Sequence, residues 1–320
     1  MEVLGVDLGG TKLALAVFSE GGEILSSESL PLGSRSGKEA GSFVTGLIRA
    51  NLERARSEGL NIGSVGVSVP GISMVRTGTV WAPNIEGWID YPLYREIKEA
   101  AGDIPVLIDS DRACSILGEV WMGNAKGCRD AVFLAVGTGI GAGILSNGEV
   151  LRGSDDIAGA IGWMALDRPF HSKYKNYGCF EYNASGDGMA RVAREFLEKE
   201  NDYSGMLRQL APGTITSRHI FAAMDAGDKL AEQVLGQCIV FWGMAVANIV
   251  SLLNPEKVIL GGGVFGPAVR FIPEITKESA LWAQPVSIRK VKIEASGLEG
   301  EAAVYGAGYL ALKNPNALNH

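Results

Sequence analysis

The sequence is poor in the features that mark secreted, membrane-spanning and nucleic-acid-binding proteins. Its four cysteines are far apart and form no C-x-x-C pair, which excludes a disulfide framework and favours a reduced compartment. It has no stretch of about eighteen uncharged apolar residues, and its most apolar stretch, residues 238–253, fits a buried helix better than a membrane span. Asp7, Gly9 and Gly10 lie where a signal peptide would be apolar. We therefore expect a cytoplasmic protein without a membrane partner.

Basic residues are also too few for a nucleic-acid-binding surface. Lysine and arginine number 29 against 36 aspartates and glutamates, which leaves a net charge of −7. Without a domain-wide basic field, a DNA or RNA partner is disfavoured. Apolar residues, by contrast, make up 47% of 320 positions, which is enough for two domains with sizeable cores.

Glycine is over-represented, and its placement is informative. The 43 glycines occur with only 12 prolines and without a G-x-y period, so neither collagen nor low complexity explains them. Residues 3–18 place Gly9-Gly10 between two apolar strands, and residues 130–145 repeat the pattern around Gly137 to Gly143. Each turn alone fits an ordinary hairpin, but the repeat predicts two α/β lobes, each with an anion-binding turn, and a cleft between them.

A third glycine cluster, Gly261 to Gly263, follows the apolar strand 258–260 and, before it, a long apolar helix that stops at Asn254-Pro255. This order is typical of α/β proteins. Such a turn fits either helix-to-sheet packing or a close approach of the backbone to a flat ligand such as a purine. Neither of the two hairpins described above has the residue order of a P-loop or a Rossmann motif.

Two carboxylates flank a serine where a strand is predicted to meet a helix. Asp109, Ser110 and Asp111 follow the apolar residues 104–108, and the next residues have helical periodicity. Ligands of open α/β sheets bind at the carboxyl ends of strands, which favours a catalytic carboxylate at this place. One of the three residues is expected to be the helix N-cap, and capping alone is the alternative.

Two further loops carry side chains suited to a polyol. One strand ends at Pro70-Gly71, and residues 81–88 combine Asn84 with two tryptophans. An amide can bind hydroxyl groups while an indole covers C–H faces. Such tryptophans can equally fill a small core.

In type and order these elements resemble the ROK sugar kinases of the actin-like ATPase superfamily, over nearly the whole chain. The resemblance implies an α/β protein with two actin-like, ribonuclease H-like lobes and a nucleotide and substrate cleft between them. We expect an N-terminal lobe of residues 1–118 and a larger C-terminal lobe of residues 119–298. A helix of about residues 299–314 is expected at the hinge or back on the first lobe. A homodimer is common in the family and is expected here.

The resemblance also implies a reaction, the transfer of the ATP γ-phosphoryl group, assisted by Mg²⁺, to a hydroxyl of a small sugar or cyclitol. Asp111 would be the general base, and Asp7 would orient Mg²⁺ through water. The implied phosphate and nucleotide contacts are Asp7, Gly9, Gly10, Thr11, Lys12, Gly137, Thr138, Gly139, Gly261, Gly262 and Gly263. The implied substrate contacts are Gly71, Asn84, Ser110, Asp111, Ala160, Trp163 and Glu181.

The sequence departs from the family at its substrate and zinc motifs. Ala160 and Trp163 stand where the family has the glutamate and histidine of Glu-x-Gly-His, and Ser110 stands where it has asparagine. Lost hydrogen-bond partners cost affinity for a matching set of hydroxyls. We therefore expect a modified sugar, a cyclitol or a less hydroxylated ring, with Trp163 filling space or stacking on it. Only Cys179 remains of four zinc ligands, and one thiolate cannot form a tetrahedral site, so no zinc is expected.

Two other functions stay open. The first is a catalytically silent, sugar-sensing or sugar-binding protein, against which the presence of Asp111 argues. The second is a glucokinase or fructokinase of ordinary specificity. Some family members are repressors with an N-terminal helix-turn-helix, but this chain begins at the first hairpin strand, so we expect no DNA-reading domain.

Overall fold

The computed structural model describes residues 1–313, along which strands and helices are interspersed. The first elements are β1 (Glu2–Leu8), β2 (Lys12–Phe18), β3 (Ile24–Pro31), α1 (Gly37–Ser57), β4 (Ile62–Val69), β5 (Ile72–Met74), β6 (Thr79–Trp81), α2 (Leu93–Ala101), β7 (Val106–Ser110) and α3 (Asp111–Trp121). They are followed by β8 (Ala131–Val136), β9 (Ile140–Ser146), β10 (Glu149–Val150), α4 (Cys179–Ala184), α5 (Gly186–Lys199), α6 (Ser217–Asp225), α7 (Lys229–Leu253), β11 (Lys257–Gly261), α8 (Ile272–Trp282), β12 (Lys292–Ala295) and α9 (Ala302–Lys313).

The first sheet has the strand order β3-β2-β1-β4-β7. The hairpin strands β1 and β2 are antiparallel, while β1, β4 and β7 run parallel to one another. In this register Asp7 pairs with Ser68, and Ser68 pairs with Asp109. The polar residues that end these three parallel strands therefore lie side by side at the carboxyl edge of the sheet.

The second sheet repeats the same plan with the order β10-β9-β8-β11-β12. Strands β8, β11 and β12 are parallel, and β9 pairs with β10 in antiparallel fashion. The mixed α/β architecture with a duplicated hairpin-plus-parallel sheet confirms the fold class predicted from the two glycine turns.

The chain divides into two compact units, and the division falls within β9. The first contains Met1–Gly127, Gly143–Ala158 and the described part of Ser296–His320, and the second contains Cys128–Ala142 and Gly159–Ala295. The predicted lobe boundary at residue 118 falls inside the last turn of α3, and the predicted lobes stay a prediction. Helix α9 lies in the region where a helix of about residues 299–314 is predicted, and it belongs to the first unit. Asn314 lies outside the described residues.

Glycines at the contact points explain how α9 packs against α3 and β4 in the first unit. A Cβ at Gly306 would overlap the carbonyl oxygen of Cys114 in α3, and a Cβ at Gly118 would overlap that of Ala302. Gly66 of β4 meets the backbone of α9 in the same way. Helix and sheet backbones therefore approach one another more closely than any side chain would allow.

Helix α7 is the longest helix of the described residues and is rich in apolar side chains. By length and composition it could span a membrane, but 61% of its most apolar window is buried. Asp228 caps its first turn by accepting hydrogen bonds from the backbone N–H groups of Leu230 and Ala231. It ends at Asn254, which is in the left-handed conformation and precedes a proline. This is the buried core helix that the sequence predicts.

Candidate functional site

Asp111 is the first residue of α3 and follows directly on β7. The Ser110 hydroxyl caps the helix by accepting a hydrogen bond from the Ala113 N–H at 3.3 Å. The capping question that the sequence left open is thereby answered, and Asp111 is not needed as the cap. Its carboxylate accepts one hydrogen bond, from the Arg112 backbone N–H at 2.8 Å.

The electrostatics of Asp111 suit a proton acceptor. Burial raises the pKa of this carboxyl to about 6, the Arg112 guanidinium opposes the shift, and the nearby Asp7 carboxylate adds to it. A carboxylate with such a pKa is ionised at neutral pH and binds a proton more strongly than an exposed one. The arrangement can therefore do general-base chemistry.

Asp7 lies at the end of β1, one strand away from Ser68. The Ser68 hydroxyl donates to the Asp7 carboxylate at 2.7 Å. Burial raises the pKa of Asp7, while the Ser68 hydrogen bond and the Lys12 charge lower it. In addition to burial, the Asp7 carboxylate raises the pKa of Asp111, and both carboxylates raise the pKa of the Cys114 thiol. The two predicted carboxylates therefore lie near each other at the same edge of the sheet.

The turn after Asp7 is closed by a hydrogen bond from the Gly9 N–H to the Lys12 carbonyl at 2.8 Å. Gly10, Thr11 and Lys12 are exposed. A Cβ at Gly10 would lie 3.4 Å from the Cβ of Asn84. The predicted phosphate turn and the predicted sugar-contacting amide are therefore adjacent within the first unit.

Gly71 is also part of this edge. Its φ of 96° and the overlap that a Cβ would make with the Trp81 carbonyl both require glycine. The Arg112 guanidinium donates to the Gly71 carbonyl at 3.2 Å. The predicted contact residue Gly71 is thereby tied to the residue that follows Asp111.

The two loop tryptophans have different environments. Trp88 is fully buried, its indole N–H donates to the Gly37 carbonyl at 2.9 Å, and its ring stacks on Tyr91 with centroids 4.5 Å apart. Trp81 is partly exposed. Of the two interpretations that the sequence allowed for these rings, core filling holds for Trp88.

Asp109 has a different role from Asp111, although the sequence presents both at the strand end. Its carboxylate is buried and forms a bidentate pair with the Arg152 guanidinium at 2.9 and 2.6 Å. Burial raises the pKa of Asp109, and Arg152 opposes that shift. Nothing in the local sequence of Arg152 announces this pairing, because the two residues come together only through the tertiary fold.

In the second unit, the turn Gly137 to Gly139 joins β8 and β9. The Gly186 N–H donates to the Gly137 carbonyl at 2.7 Å, which places the N-terminus of α5 on this turn. The Glu181 carboxylate accepts a hydrogen bond from the Ile140 N–H at 2.8 Å, and a Cβ at Gly139 would lie 2.7 Å from that carboxylate. Burial raises the pKa of Glu181, and the Ile140 N–H and Arg191 oppose the shift.

Ala160 and Trp163 lie on a single helical turn next to Glu181. A Cβ at Gly162 would lie 3.0 Å from the Glu181 Cβ. The Trp163 side chain is 58% exposed, so most of the indole is available for contact. The structure thus groups the altered substrate motif with Glu181, as the resemblance implies.

The sequence allowed two interpretations of the third glycine cluster, packing and contact with a ligand, and its glycines do not all fit the same one. A Cβ at Gly261 would overlap the Phe133 ring, and a Cβ at Gly262, whose φ is 88°, would overlap the Val136 carbonyl. Packing therefore explains these two glycines. Gly263 has no heavy atom within 4 Å of its Cβ position and is the residue of the three with room for a ligand.

Aromatic and charged side chains hold the segment 172–181, which resembles the family's zinc loop. Glu195 of α5 accepts hydrogen bonds from the Lys173 ammonium at 2.7 and 2.8 Å and from the Tyr182 hydroxyl at 2.6 Å. Cys179 is buried in α4. Among residues 1–313, no group of three or more His, Cys, Asp and Glu side chains is placed to hold a metal ion, and the expectation of no zinc stays a prediction.

A cavity of about 350 Å³ opens beside this segment in the second unit. Lys173, Glu195, Lys199 and the apolar side chains of Val240 and Phe241 are part of its lining. None of the predicted site residues lines it. The cavity is therefore distinct from the predicted phosphate and substrate contacts.

Comparisons with known proteins agree with this geometry. The sequence pattern of the ROK family matches residues 3–314. A glucokinase of Halalkalibacterium halodurans is 31% identical, and the match covers 98% of this chain and 96% of that protein. Among solved structures, a ROK hexokinase from Thermus thermophilus is similar with a TM-score of 0.78 and 28% identity, over 98% of each chain.

A further solved structure carries ligands. It is a ROK family glucokinase from Streptomyces griseus in complex with glucose and AMPPNP, with a TM-score of 0.78 and 28% identity, over 98% of this chain and 99% of that one. The fold and the matches define the class, a carbohydrate kinase with the actin-like ATPase fold. Within that class, the chain belongs to the ROK family.

Proposed function

We propose that this chain phosphorylates a hydroxyl group of a sugar or sugar-like molecule, such as a modified hexose or a cyclitol, with ATP as the donor and Asp111 as the general base. The observation that carries the proposal is the Asp111 carboxylate. It starts α3 at the carboxyl ends of the parallel strands β1, β4 and β7, and Ser110 caps the helix in its place. A pKa of about 6 suits a base that works near neutral pH.

The glycine turns suit a nucleotide. No heavy atom lies within 4 Å of the Cβ positions of Gly137 and Gly263, and backbone N–H groups in turns of this kind bind phosphate. We assign residues 9–12 and 137–139 to the phosphates, and the turn 261–263 to the nucleoside with Gly263 nearest to it. Bound MgATP would supply the phosphoryl group and offset charge that develops during its transfer.

The Asp111 and Asp7 carboxylates are assigned different roles in the reaction. Asp111 accepts the proton of the acceptor hydroxyl, so that the oxygen can attack phosphorus. Asp7, whose ionised form is favoured by the Ser68 hydrogen bond against the effect of burial, is assigned to Mg²⁺ through a water molecule, since Mg²⁺ usually retains several waters in protein sites.

The acceptor contacts favour a substrate other than glucose. The contacts implied by the family resemblance are Gly71, Asn84, Ser110, Ala160, Trp163 and Glu181, and we assign the acceptor to them. Ala160 offers no hydrogen bond, and the exposed Trp163 ring offers an apolar face. Supporting evidence for the kinase chemistry comes from relatives named glucokinase and hexokinase, and from the glucose and AMPPNP in a similar structure.

ATP turnover with a panel of hexoses, acetylated hexosamines and cyclitols tests the proposal. Asp111→Asn should lower kcat by about 10²–10⁴-fold, the usual contribution of a positioned base. Asp103→Asn, which replaces an exposed loop aspartate of the same unit, serves as the matched control and should retain full activity. Equal turnover by wild type and Asp111→Asn, with nucleotide still bound, would show that Asp111 is not the base.

The same panel separates the alternatives. Glucose or fructose as the best acceptor would indicate ordinary specificity, which the names of the glucokinase relatives favour. Sugar binding without turnover on any acceptor would indicate a silent sugar-binding protein.

We also propose a zinc-free, cytoplasmic homodimer that binds no nucleic acid. Elemental analysis of purified protein tests the first point, because one zinc per chain would contradict it. Light scattering during gel filtration tests the homodimer, and the expected mass is twice the chain mass of 33.8 kDa.

A further inference from the structure

Arg112 is a charged side chain at the candidate base that the proposed reaction does not use. It follows Asp111 directly, and its guanidinium donates one hydrogen bond, to the Gly71 carbonyl. Within residues 1–313 it forms no ion pair. An arginine has five N–H donors in a planar fork, so most of the donors of Arg112 are not used within the described structure.

Three other arginines of the first unit are each paired with a carboxylate. Arg152 satisfies the buried Asp109 in a bidentate pair, Arg54 lies 3.4 Å from Glu28, and Arg95 pairs with Glu99 one helical turn away. Arg112 is only half-buried, and none of its nitrogens is among the buried atoms without a partner. Solvent, and hence a ligand, can reach the unused donors.

The position of Arg112 restricts what that ligand can be. Its charge acts directly on Asp111, and its hydrogen bond goes to Gly71, a proposed acceptor contact. The guanidinium therefore lies near both the proposed base and a proposed acceptor contact, and a group bound by it would be close to the hydroxyl that faces Asp111. With Asp7 and Asp111 both acidic at this edge, an anionic acceptor would be repelled unless a cation lay beside it.

We propose that the acceptor carries an anionic group, a carboxylate or a phosphate, and that Arg112 binds it. The proposal rests on the proposed kinase function and narrows its substrate class. A guanidinium recognises both groups through two parallel N–H···O bonds. By the family resemblance, Ala160 also replaces a glutamate, so one negative charge that would oppose such an acceptor is absent from the substrate motif.

Matched acceptors distinguish the two sources of negative charge. Turnover is measured with glucose, with the sugar acids gluconate and glucuronate, and with glucose 6-phosphate. We expect a higher kcat/KM for at least one anionic acceptor than for glucose. Arg112→Gln should lower the ratio of anionic to neutral kcat/KM about a hundredfold, as for a truncated charge pair. Arg95→Gln, at an exposed helix position, should leave that ratio unchanged.

The outcomes are separable. If Arg112→Gln lowers kcat/KM equally for anionic and neutral acceptors, Arg112 acts only on Asp111 and the proposal is overturned. If glucose is phosphorylated in an Asp111-dependent way and no anionic acceptor is better, the proposal is overturned while the kinase function stands. Calorimetric binding of the same anions to Asp111→Asn gives a readout independent of turnover. Anion binding that is lost when Arg112 is also replaced supports the anion site. If no acceptor is phosphorylated as well, that second result counts against the proposed kinase function and not against the anion site.

Discussion

Asp111, the proposed general base, has buried surroundings that disfavour its ionised form. Burial raises its pKa to about 6, whereas an ordinary aspartate has a pKa near 3.8. The native state therefore binds a proton at this carboxyl more tightly than the unfolded chain does. Above about pH 6, the buried charge of Asp111 lowers the free energy of unfolding. This cost disappears on acidification, because the carboxyl then takes up a proton.

This pKa predicts the pH dependence of catalysis. A general base must be deprotonated, so kcat/KM should be constant above about pH 7 and fall about tenfold per unit below about pH 6. A pH profile of initial rates at low acceptor concentration measures it. A profile that stays flat down to about pH 5 would contradict the assignment of Asp111.

Ser68 and Ser64 both lie on β4, and each donates a hydrogen bond to a different kind of acceptor. The Ser68 hydroxyl donates to the Asp7 carboxylate, and the Ser64 hydroxyl donates to the neutral Ala311 carbonyl at 2.8 Å. Ser68→Ala should cost about 1–3 kcal/mol of unfolding free energy at pH 8. The cost should shrink on acidification, because the Ser68 hydrogen bond favours the ionised form of Asp7, whose pKa burial has raised.

Ser64→Ala is the control and should lose a similar free energy without a pH dependence. Urea unfolding of both variants between about pH 8 and about pH 5 makes the comparison. Parallel curves for the two variants would show that Asp7 is not ionised in the folded protein.

At the scale of elements, the packing of α9 on α3 shows why glycines in helices are not all alike. Gly306 faces the backbone of α3 at Cys114, and no heavy atom lies within 4 Å of the Cβ position of Gly46 in α1. The two residues are both helical, and only the tertiary environment distinguishes them.

Alanine at these two positions should therefore have opposite effects. Gly306→Ala should destabilise by about 3 kcal/mol or more, because the new methyl group can be accommodated only if a whole helix moves. Gly46→Ala should stabilise by about 0.5–1 kcal/mol through a smaller loss of backbone entropy. Denaturant unfolding measures both, and a Gly306→Ala protein as stable as wild type would contradict the packing of α9.

At the scale of the whole molecule, the two sheets share one strand plan, and each sheet has a glycine turn after its first parallel strand, at residues 9–12 and 137–139. We assign both turns to the phosphates of the nucleotide. Ligands that bind only the folded state stabilise it by mass action. AMPPNP with Mg²⁺ at a hundredfold excess over its Kd should therefore add about 2.7 kcal/mol to the unfolding free energy. Differential scanning fluorimetry detects this as a rise in Tm.

A pair of variants shows whether the turn at Gly137 takes part. Gly137→Val fills space that is open in the protein, so the unliganded Tm should change little while the rise with AMPPNP is lost. Gly213→Val, at an exposed position with the same open surroundings, should keep the full rise. Retention of the full rise in Gly137→Val would remove this turn from the nucleotide site.

Much of the fold follows from local sequence patterns. Apolar strands that run into Gly9-Gly10 and into Gly137 to Gly143 predicted both hairpins, and the Asn254-Pro255 stop predicted the end of α7. The place of Asp111 at a strand–helix junction followed from the change in periodicity at that point. These features depend on backbone conformations and capping groups within a few residues, which the sequence encodes directly.

Other features were decided by residues far apart in the chain. The local sequence could not separate Asp109 from Asp111, and only the approach of Arg152 makes Asp109 a structural ion pair. It could not tell whether Trp88 would face a sugar or the core. Nor could it show that Gly261 and Gly262 are required by Phe133 and Val136 while Gly263 is open. The sequence by itself determined the elements, their order and the chemistry available at each strand end. The tertiary structure decided which side chains are paired, buried or left with unused donors, because those properties depend on neighbours that only folding brings together.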